Sequence, residues 1–488
     1  MMRIAVIHYH LRSGGVTRVI EHAVASLKDR DVRVVALAGE PPPDGAIPHE
    51  QVRVVQGIDY ATGTDAHNPG ILAERVMETA RKALGGAPDV WHFHNHSMGK
   101  NCALTKAVTL MAAQGCRVLL QLHDFPEDGR PHLFKGLIEH LGGGHIEALG
   151  PLMYPQAPHI HYATINGRDG RLLAKVGIPS DRLHLLPNAV TLDGGPHTPW
   201  NPRPDERRLV LYPVRAIRRK NLGELLLWAS VALPAEHFAV TLAPKSPGDR
   251  VAYERWVAFA KQENFPIEFE VGTRNDMTFE ERLNSAWLAV STSVAEGFGL
   301  TFLEPWLVNR PVMGRRIPDI TQDFEEAGVD LSMMYDKLLV PLDWVGRDRF
   351  VEHIREVYAK MLETYGRTPQ PGDENRALES ALTGDRVDFG RLDEELQEMV
   401  ILRLRESATH RSELQPLELC RTEAALKAMD RNAKIIGENY SLQRYGERLM
   451  DIYRTVTSSP TGAVNDGLNV ACLLDAFLAP ERFSLLRT

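Results

Sequence analysis

Short apolar, β-branched runs alternate along the chain with longer stretches whose apolar residues recur three or four positions apart, a pattern that predicts parallel strands joined by helices. Strands are expected at 1–7, 32–37, 52–55, 90–93, 118–122, 160–165 and 183–186, with a helix from the Gly14-Gly15 turn through Leu27 and another over about 71–84. A second set follows at 209–214, 238–242, 267–271, 288–292 and 312–314. The breakers Gly194, Gly195, Pro196, Pro199, Pro202 and Pro204 separate the two sets and read as a linker. The pattern thus predicts an α/β chain of two doubly wound domains at 1–190 and 208–345, joined by a linker at 191–207. Residues 346–435 read as a solvated helical elaboration with an acidic, turn-broken stretch at 371–398. In 436–488 a helix is expected from about Asn439 to Tyr453, followed by a tail whose 468–478 segment can pack as a last helix.

Composition narrows the picture. At 488 residues the chain is too long for one ordinary core. A net charge of -8 and a pI near 6.2 argue against a nucleic-acid-binding surface. No apolar run approaches the ~20 residues that span a bilayer, and the first residues read as a strand rather than a signal peptide. Cys102, Cys116, Cys420 and Cys472 are scattered without a C-x-x-C pair, as expected of reduced thiols in a cytoplasmic protein. A homo-oligomer is left open.

The candidate chemistry centres on Glu296-Gly297-Phe298-Gly299-Leu300-Thr301-Phe302-Leu303-Glu304, which follows the strand at 288–292 and leads into an expected helix. A strand, a glycine turn and a helix start present unpaired N–H groups at the carboxyl edge of a sheet, a setting for phosphate. Carboxylates do not bind phosphate, so Glu296 and Glu304 address hydroxyls on either side of it. Hydroxyls at both ends of a diphosphate describe a nucleotide sugar.

Glu296 and Glu304 with Gly297-Phe298-Gly299-Leu300 between them resemble the E-x7-E motif of retaining nucleotide-sugar glycosyltransferases, the family four group. Arg215 and Lys220, past the strand at 209–214, resemble the Arg and Lys of that family's G-R-x4-K-G motif, with Val214 and Asn221 in place of the flanking glycines. Two cations at this spacing can neutralise a diphosphate leaving group. The resemblance covers roughly 3–345 and 435–455, and it implies the GT-B fold: two Rossmann-like domains facing across a cleft, an N-terminal acceptor site and a C-terminal donor site. It further implies that Glu304 holds the ribose and Glu296 the transferred sugar, and that Thr301 lies in the donor loop. Arg274 stands where the base is read, and the Gly14-Gly15 turn is where amides approach donor or acceptor. His123, in His123-Asp124, matches a family histidine that contacts the donor sugar near its reacting carbon.

Acceptor candidates are Asp124, His96 at the tip Asn95-His96-Ser97, Arg315 and Arg316, with 127–150 read as a mobile acceptor loop. His92, His94 and His96 alternate and share a face if the strand continues, which leaves metal chelation open as an alternative to partial burial. The expected function is metal-independent transfer of a hexose, with retention, from a UDP-, GDP- or ADP-sugar to a hydroxyl of a small polar acceptor such as a sugar, sugar phosphate or polyol acid. A lipid-linked acceptor, a sugar-nucleotide epimerase of the same fold and a catalytically silent nucleotide-sugar scaffold stand as alternatives.

Overall fold

The computed structural model describes residues 1–488 apart from 43–46, 62–66, 193–206, 275, 420, 421, 466 and 488. The stretch at 194–204 expected as a linker lies outside the described residues. The chain divides into two compact units, Met1–Ala189 with Tyr440–Leu478, and Val190–Asn439 with Ala479–Thr488.

The first unit holds a seven-stranded parallel sheet, β1 (Met2–Ile7), β2 (Val32–Ala38), β3 (Val52–Val54), β4 (Val90–His94), β5 (Val118–Leu122), β6 (Ile160–Thr164) and β7 (Leu183–Leu185), in the order β3-β2-β1-β4-β5-β6-β7. Helix Gly15–Ser26 and helix Leu442–Ser458 contribute Ile20, Ala23, Tyr445, Leu449 and Tyr453 to one core with Ile4, Val6 and Ala36. The late helix starts at Leu442, capped by the Ser441 side chain, whereas one was expected from Asn439. Residues 422–440 already form a preceding helix, which ends at Tyr440.

The second unit holds a five-stranded parallel sheet, β8 (Arg208–Arg215), β9 (Glu236–Leu242), β10 (Ile267–Glu268), β11 (Leu288–Ser291) and β12 (Val312–Gly314), in the order β10-β9-β8-β11-β12. In both sheets the order reverses beside the first strand, between β1 and β4 and between β8 and β11. Such a reversal leaves a crevice past the carboxyl ends of the two strands, where ligands of open α/β sheets bind.

The stretch at 371–398 is not a solvated elaboration. Helix Asp373–Ala381 leads into strands Leu382–Thr383 and Arg386–Asp388, and the latter pairs antiparallel with Leu339–Pro341. Val387, Phe389, Leu392, Leu396 and Val400 are buried. Their apolar side chains were masked in the sequence by the acidic residues between them.

Nor is 127–150 a loose loop. It folds as helix Pro131–His140 and a 3-10 turn at Ile146–Leu149, with Phe134, Leu137, Leu141 and Leu149 buried. Glu127 is buried at its start, where Tyr154 Oη donates to its carboxylate at 3.1 and 3.2 Å. Burial pushes the Glu127 carboxyl up to about 8, against the hydrogen bonds that lower it. Its folded-state pKa thus lies above the ordinary carboxylate value, so the protonated form favours folding and the contribution is lost as pH rises from 4.5 to about 8. The melting temperature of the wild type should therefore fall relative to that of Glu127→Gln across this window; parallel profiles of the two proteins would contradict the assignment.

Candidate active site

The second unit's reversal point carries the site. β8 ends at Arg215, whose Nη1 donates to the Ala243 carbonyl at 2.8 Å. The chain then makes a 3-10 turn at Arg218–Lys220 and enters helix Leu222–Ser230 through Asn221. Asn221 has φ +52°, in the left-handed region where glycine and asparagine are the tolerated residues. The replacement of the motif's glycine by asparagine therefore leaves this backbone turn intact.

From β11 the chain continues through Thr292, Ser293 and Val294, and these residues are stitched to the 218–221 turn. Val294 N donates to Arg219 O at 3.0 Å, and Thr292 Oγ1 donates to Lys220 O at 3.0 Å. Tyr212 Oη lies 2.9 Å from Lys220 O and 2.7 Å from Ser293 Oγ. This stitching brings the Lys220 ammonium onto the Glu296 carboxylate as an ion pair, with the two side chains 13% and 7% exposed. Ser293 Oγ donates to the same carboxylate at 2.7 Å. Burial raises the Glu296 carboxyl, but Lys220 and Arg219 outweigh it and hold the group below the usual carboxylate range. An ammonium has three donors, so one bond to Glu296 leaves two for a ligand.

The loop after Glu296 departs from the expected helix start. Gly299 has φ +96°, and a Cβ there would meet Phe302 at 2.7 Å, so this glycine is required by the turn. A 3-10 turn over Leu300–Phe302 follows, then a helix of four residues, Glu304–Leu307. Pro305 is accommodated because its missing N–H falls in the first turn, where no intrahelical acceptor exists. So short a helix has little macrodipole, and an anion beside it would be met by loop amides and by Lys220. Glu304, Thr301 and Phe298 are buried around this turn, and Gly297 and Leu300 are half-buried.

Arg274 stands apart from this pair, past the 3-10 turn Val271–Thr273, and pairs with Glu268 at 2.7 Å. Arg315, expected to meet an acceptor, is instead buried. Its Nε and Nη2 donate to Glu224, its Nη1 and Nη2 to Asp388, and its Nη1 also to Asp336 O. With its guanidinium N–H groups so engaged, it is corrected to a structural residue. Arg316 is paired with Asp336 and Glu325. Tyr212, Ser293 and Arg219 join the site without having been singled out from sequence. Arg219, beside Lys220 in the charge run, was the one with a legible signal.

In the first unit, His96 is fully buried, with Nε2 bonded to Met153 O at 2.8 Å, so it is not part of an exposed acceptor tip. Asn95 at φ +54° turns its Oδ1 back to accept His123 N and Asp124 N, at 2.8 and 3.2 Å. His92 is bonded to Tyr453 Oη and Gln121 Oε1, both at 2.9 Å, and His94 Nδ1 lies 2.8 Å from His123 Nε2. Among the described residues no group of three or more His, Cys, Asp or Glu is arranged to hold a metal ion. Burial lowers His92 to about 3 and His123 to about 4, so both rings are neutral near pH 7.

The reversal point of this sheet gathers basic side chains. Lys100 Nζ lies 5.3 Å over the Tyr60 ring, His10 meets that ring at 4.8 Å, and Arg130 pairs with Asp124 at 2.5 Å. Lys100 has no ion pair among the described residues, and burial, with Arg130 nearby, lowers its pKa. Gly14 and Gly15 begin helix Gly15–Ser26, where a Cβ on Gly15 would touch nothing within 4 Å. The fold therefore does not demand this glycine, and space is open at the helix start.

Residues 13–193 match the profile of Glycosyltransferase Family 4. The chain is 26% identical over 528 residues, covering 100% of this chain and 99% of the relative, to mannosylglucosyl-3-phosphoglycerate synthase of Petrotoga mobilis. Among solved structures it is similar to sucrose-phosphate synthase from Thermosynechococcus elongatus, with TM-score 0.54 and 14% identity over 93% of this chain and 98% of that one. It is also similar to Anabaena HepE in complex with UDP and glucose, with TM-score 0.52 and 12% identity over 92% and 99% of the two chains. No helix among the described residues is long and apolar enough to cross a membrane. With its two parallel sheets, each reversed beside its first strand, the chain has the GT-B fold, and its similarities are to glycosyltransferases over its whole length and to the Glycosyltransferase Family 4 profile over residues 13–193.

Proposed function

We propose that the protein is a retaining hexosyltransferase that takes its donor from a nucleoside diphosphate sugar, needs no metal, and uses a small anionic acceptor carrying phosphate or carboxylate. The observation that carries the donor half is the Lys220–Glu296 pair at the reversal point between β8 and β11. The HepE complexes with UDP and with UDP-glucose support a nucleotide-sugar donor by analogy.

The barrier to transfer is charge separation as the sugar–phosphate bond breaks. Lys220, Arg215 and Arg219 offset the negative charge that grows on the leaving diphosphate, and they are fixed before the reaction begins, which is what makes such groups effective. Glu296 orients Lys220 and addresses the sugar hydroxyls, Glu304 addresses the ribose, and the loop 297–301 lines the diphosphate. Arg274 meets the base. His123, held neutral by burial, offers a hydrogen bond to the sugar rather than a charge. The acceptor hydroxyl attacks the face that the diphosphate leaves, and the departing phosphate oxygen takes its proton.

The acceptor half rests on the basic side chains of the first unit, the Lys100 and Arg130 cations and the His10 ring, whose pKa burial lowers. Lys100 and Arg130 suit a phosphate or carboxylate, His10 can add a hydrogen bond, Asp124 suits a hydroxyl, and space is open at Gly15 at the start of its helix. The Petrotoga relative's name contains a phosphoglycerate, an anion of this chemistry.

Two outcomes test the proposal. Lys220→Ala should lose about a hundredfold or more in kcat in the folded protein, as removal of a single charge-stabilising donor does in other enzymes, and should melt at a lower temperature because Glu296 is left buried without its cation; unchanged turnover in the folded variant removes Lys220 from the mechanism. Lys100→Ala should raise KM for a phosphorylated acceptor about tenfold with little change in kcat, the signature of lost ground-state binding. Equal KM values for wild type and variant would place the anion elsewhere.

A further inference from the structure

The turn that carries Lys220 is gripped on both sides by one helix of the C-terminal segment, Glu394–Arg405. On one side Arg218 donates bidentately to Glu394, from Nε at 2.6 Å and from Nη2 at 2.8 Å. On the other, Gln397 Nε2 donates to Asn221 Oδ1 at 2.8 Å and to Phe389 O at 3.0 Å. Glu394 and Gln397 are three residues apart, hence on one helix face. Lys220 lies between the two anchored residues.

The polarity of this chain of bonds is fixed from its far end. Arg315 holds Glu224, whose carboxylate only accepts, so Asn221 Nδ2 donates to it at 2.8 Å and Asn221 Oδ1 is turned toward Gln397. Gln397 then has to present its amide nitrogen, since both neighbours are acceptors. Its own Oε1 is buried without a protein partner among the described residues. The approach is close as well: a Cβ on Gly223 would meet Gln397 Oε1 at 2.1 Å and the Trp256 ring at 2.7 Å, so a larger residue there would displace the Gln397 amide from this position.

We propose that Glu394 and Gln397 are positioning residues that hold the 218–221 turn so that the Lys220 ammonium stays at the donor diphosphate. The segment at 346–435, unlike a decoration, is then part of the donor site's framework. The inference rests on the reading of Lys220 as the diphosphate cation. The bonds from Thr292, Val294 and Tyr212 hold the turn's backbone carbonyls, whereas Glu394 and Gln397 hold the side chains on either side of Lys220, and small displacements of a charge-stabilising group cost much of its effect.

The test is a coupling cycle read by calorimetric Kd for UDP, GDP and ADP, with melting temperatures measured alongside. Gln397→Met removes the amide at similar volume. Asn221→Gly keeps the backbone turn while deleting the link to both Gln397 and Glu224, and it decides the matter if Gln397→Met does not fold. Each folded variant should weaken the bound nucleotide about fivefold or more, and in a Lys220→Ala background the same substitutions should change Kd by less than about twofold, within ordinary additivity error. Wild-type Kd in both folded variants, or the same loss with and without Lys220, overturns the positioning role while leaving the donor reading intact. If Lys220→Ala alone binds nucleotide as the wild type does, the donor reading falls and this inference falls with it.

Discussion

A lysine and a glutamate largely removed from water must satisfy each other, and the second unit is arranged around that requirement. Moving either charge out of water is costly, and the cost is offset only when geometry and further hydrogen bonds are good. The Lys220–Glu296 pair meets this condition because β8 and β11 are neighbours at the sheet's reversal and because Thr292, Ser293, Val294 and Tyr212 tie the two outgoing segments together. The same fixed charge that would be a liability in an ordinary core is what a leaving diphosphate needs.

Burial sorts the other polar residues in opposite ways. In the first unit the histidines at the ends of β4 and β5 are too deeply covered to hold a proton, and they act as neutral hydrogen-bonding groups for one another and for Tyr453. In the second unit Arg315 keeps its charge although burial opposes it, because Asp388 and Glu224 surround it. One cluster gives a neutral wall and the other an ionic strut behind the Lys220 turn.

The parallel strands were legible because buried parallel strands are continuous apolar runs, and the spacing of Arg215, Lys220, Glu296 and Glu304 was legible because it is local in sequence. Asn221 shows how a motif departure can be reconciled only with backbone angles in hand. Arg315 and His96 were not legible: a charged residue after a strand reads the same whether it faces solvent or a partner seventy residues away, and Asp388 lies at that distance. The 371–398 stretch failed for a related reason. Its buried apolar residues follow the periods of a helix and two short strands in turn, so neither period holds long enough to stand out against the acidic composition.

The most direct test of the account is calorimetric titration of the unmodified protein with UDP, GDP and ADP in the presence of EDTA. The account predicts that one of the three binds clearly better than the others and does so unchanged by the chelator, because Lys220 and its loop meet the diphosphate without a metal. Binding of none, or binding that appears only when a divalent cation is added, would contradict it.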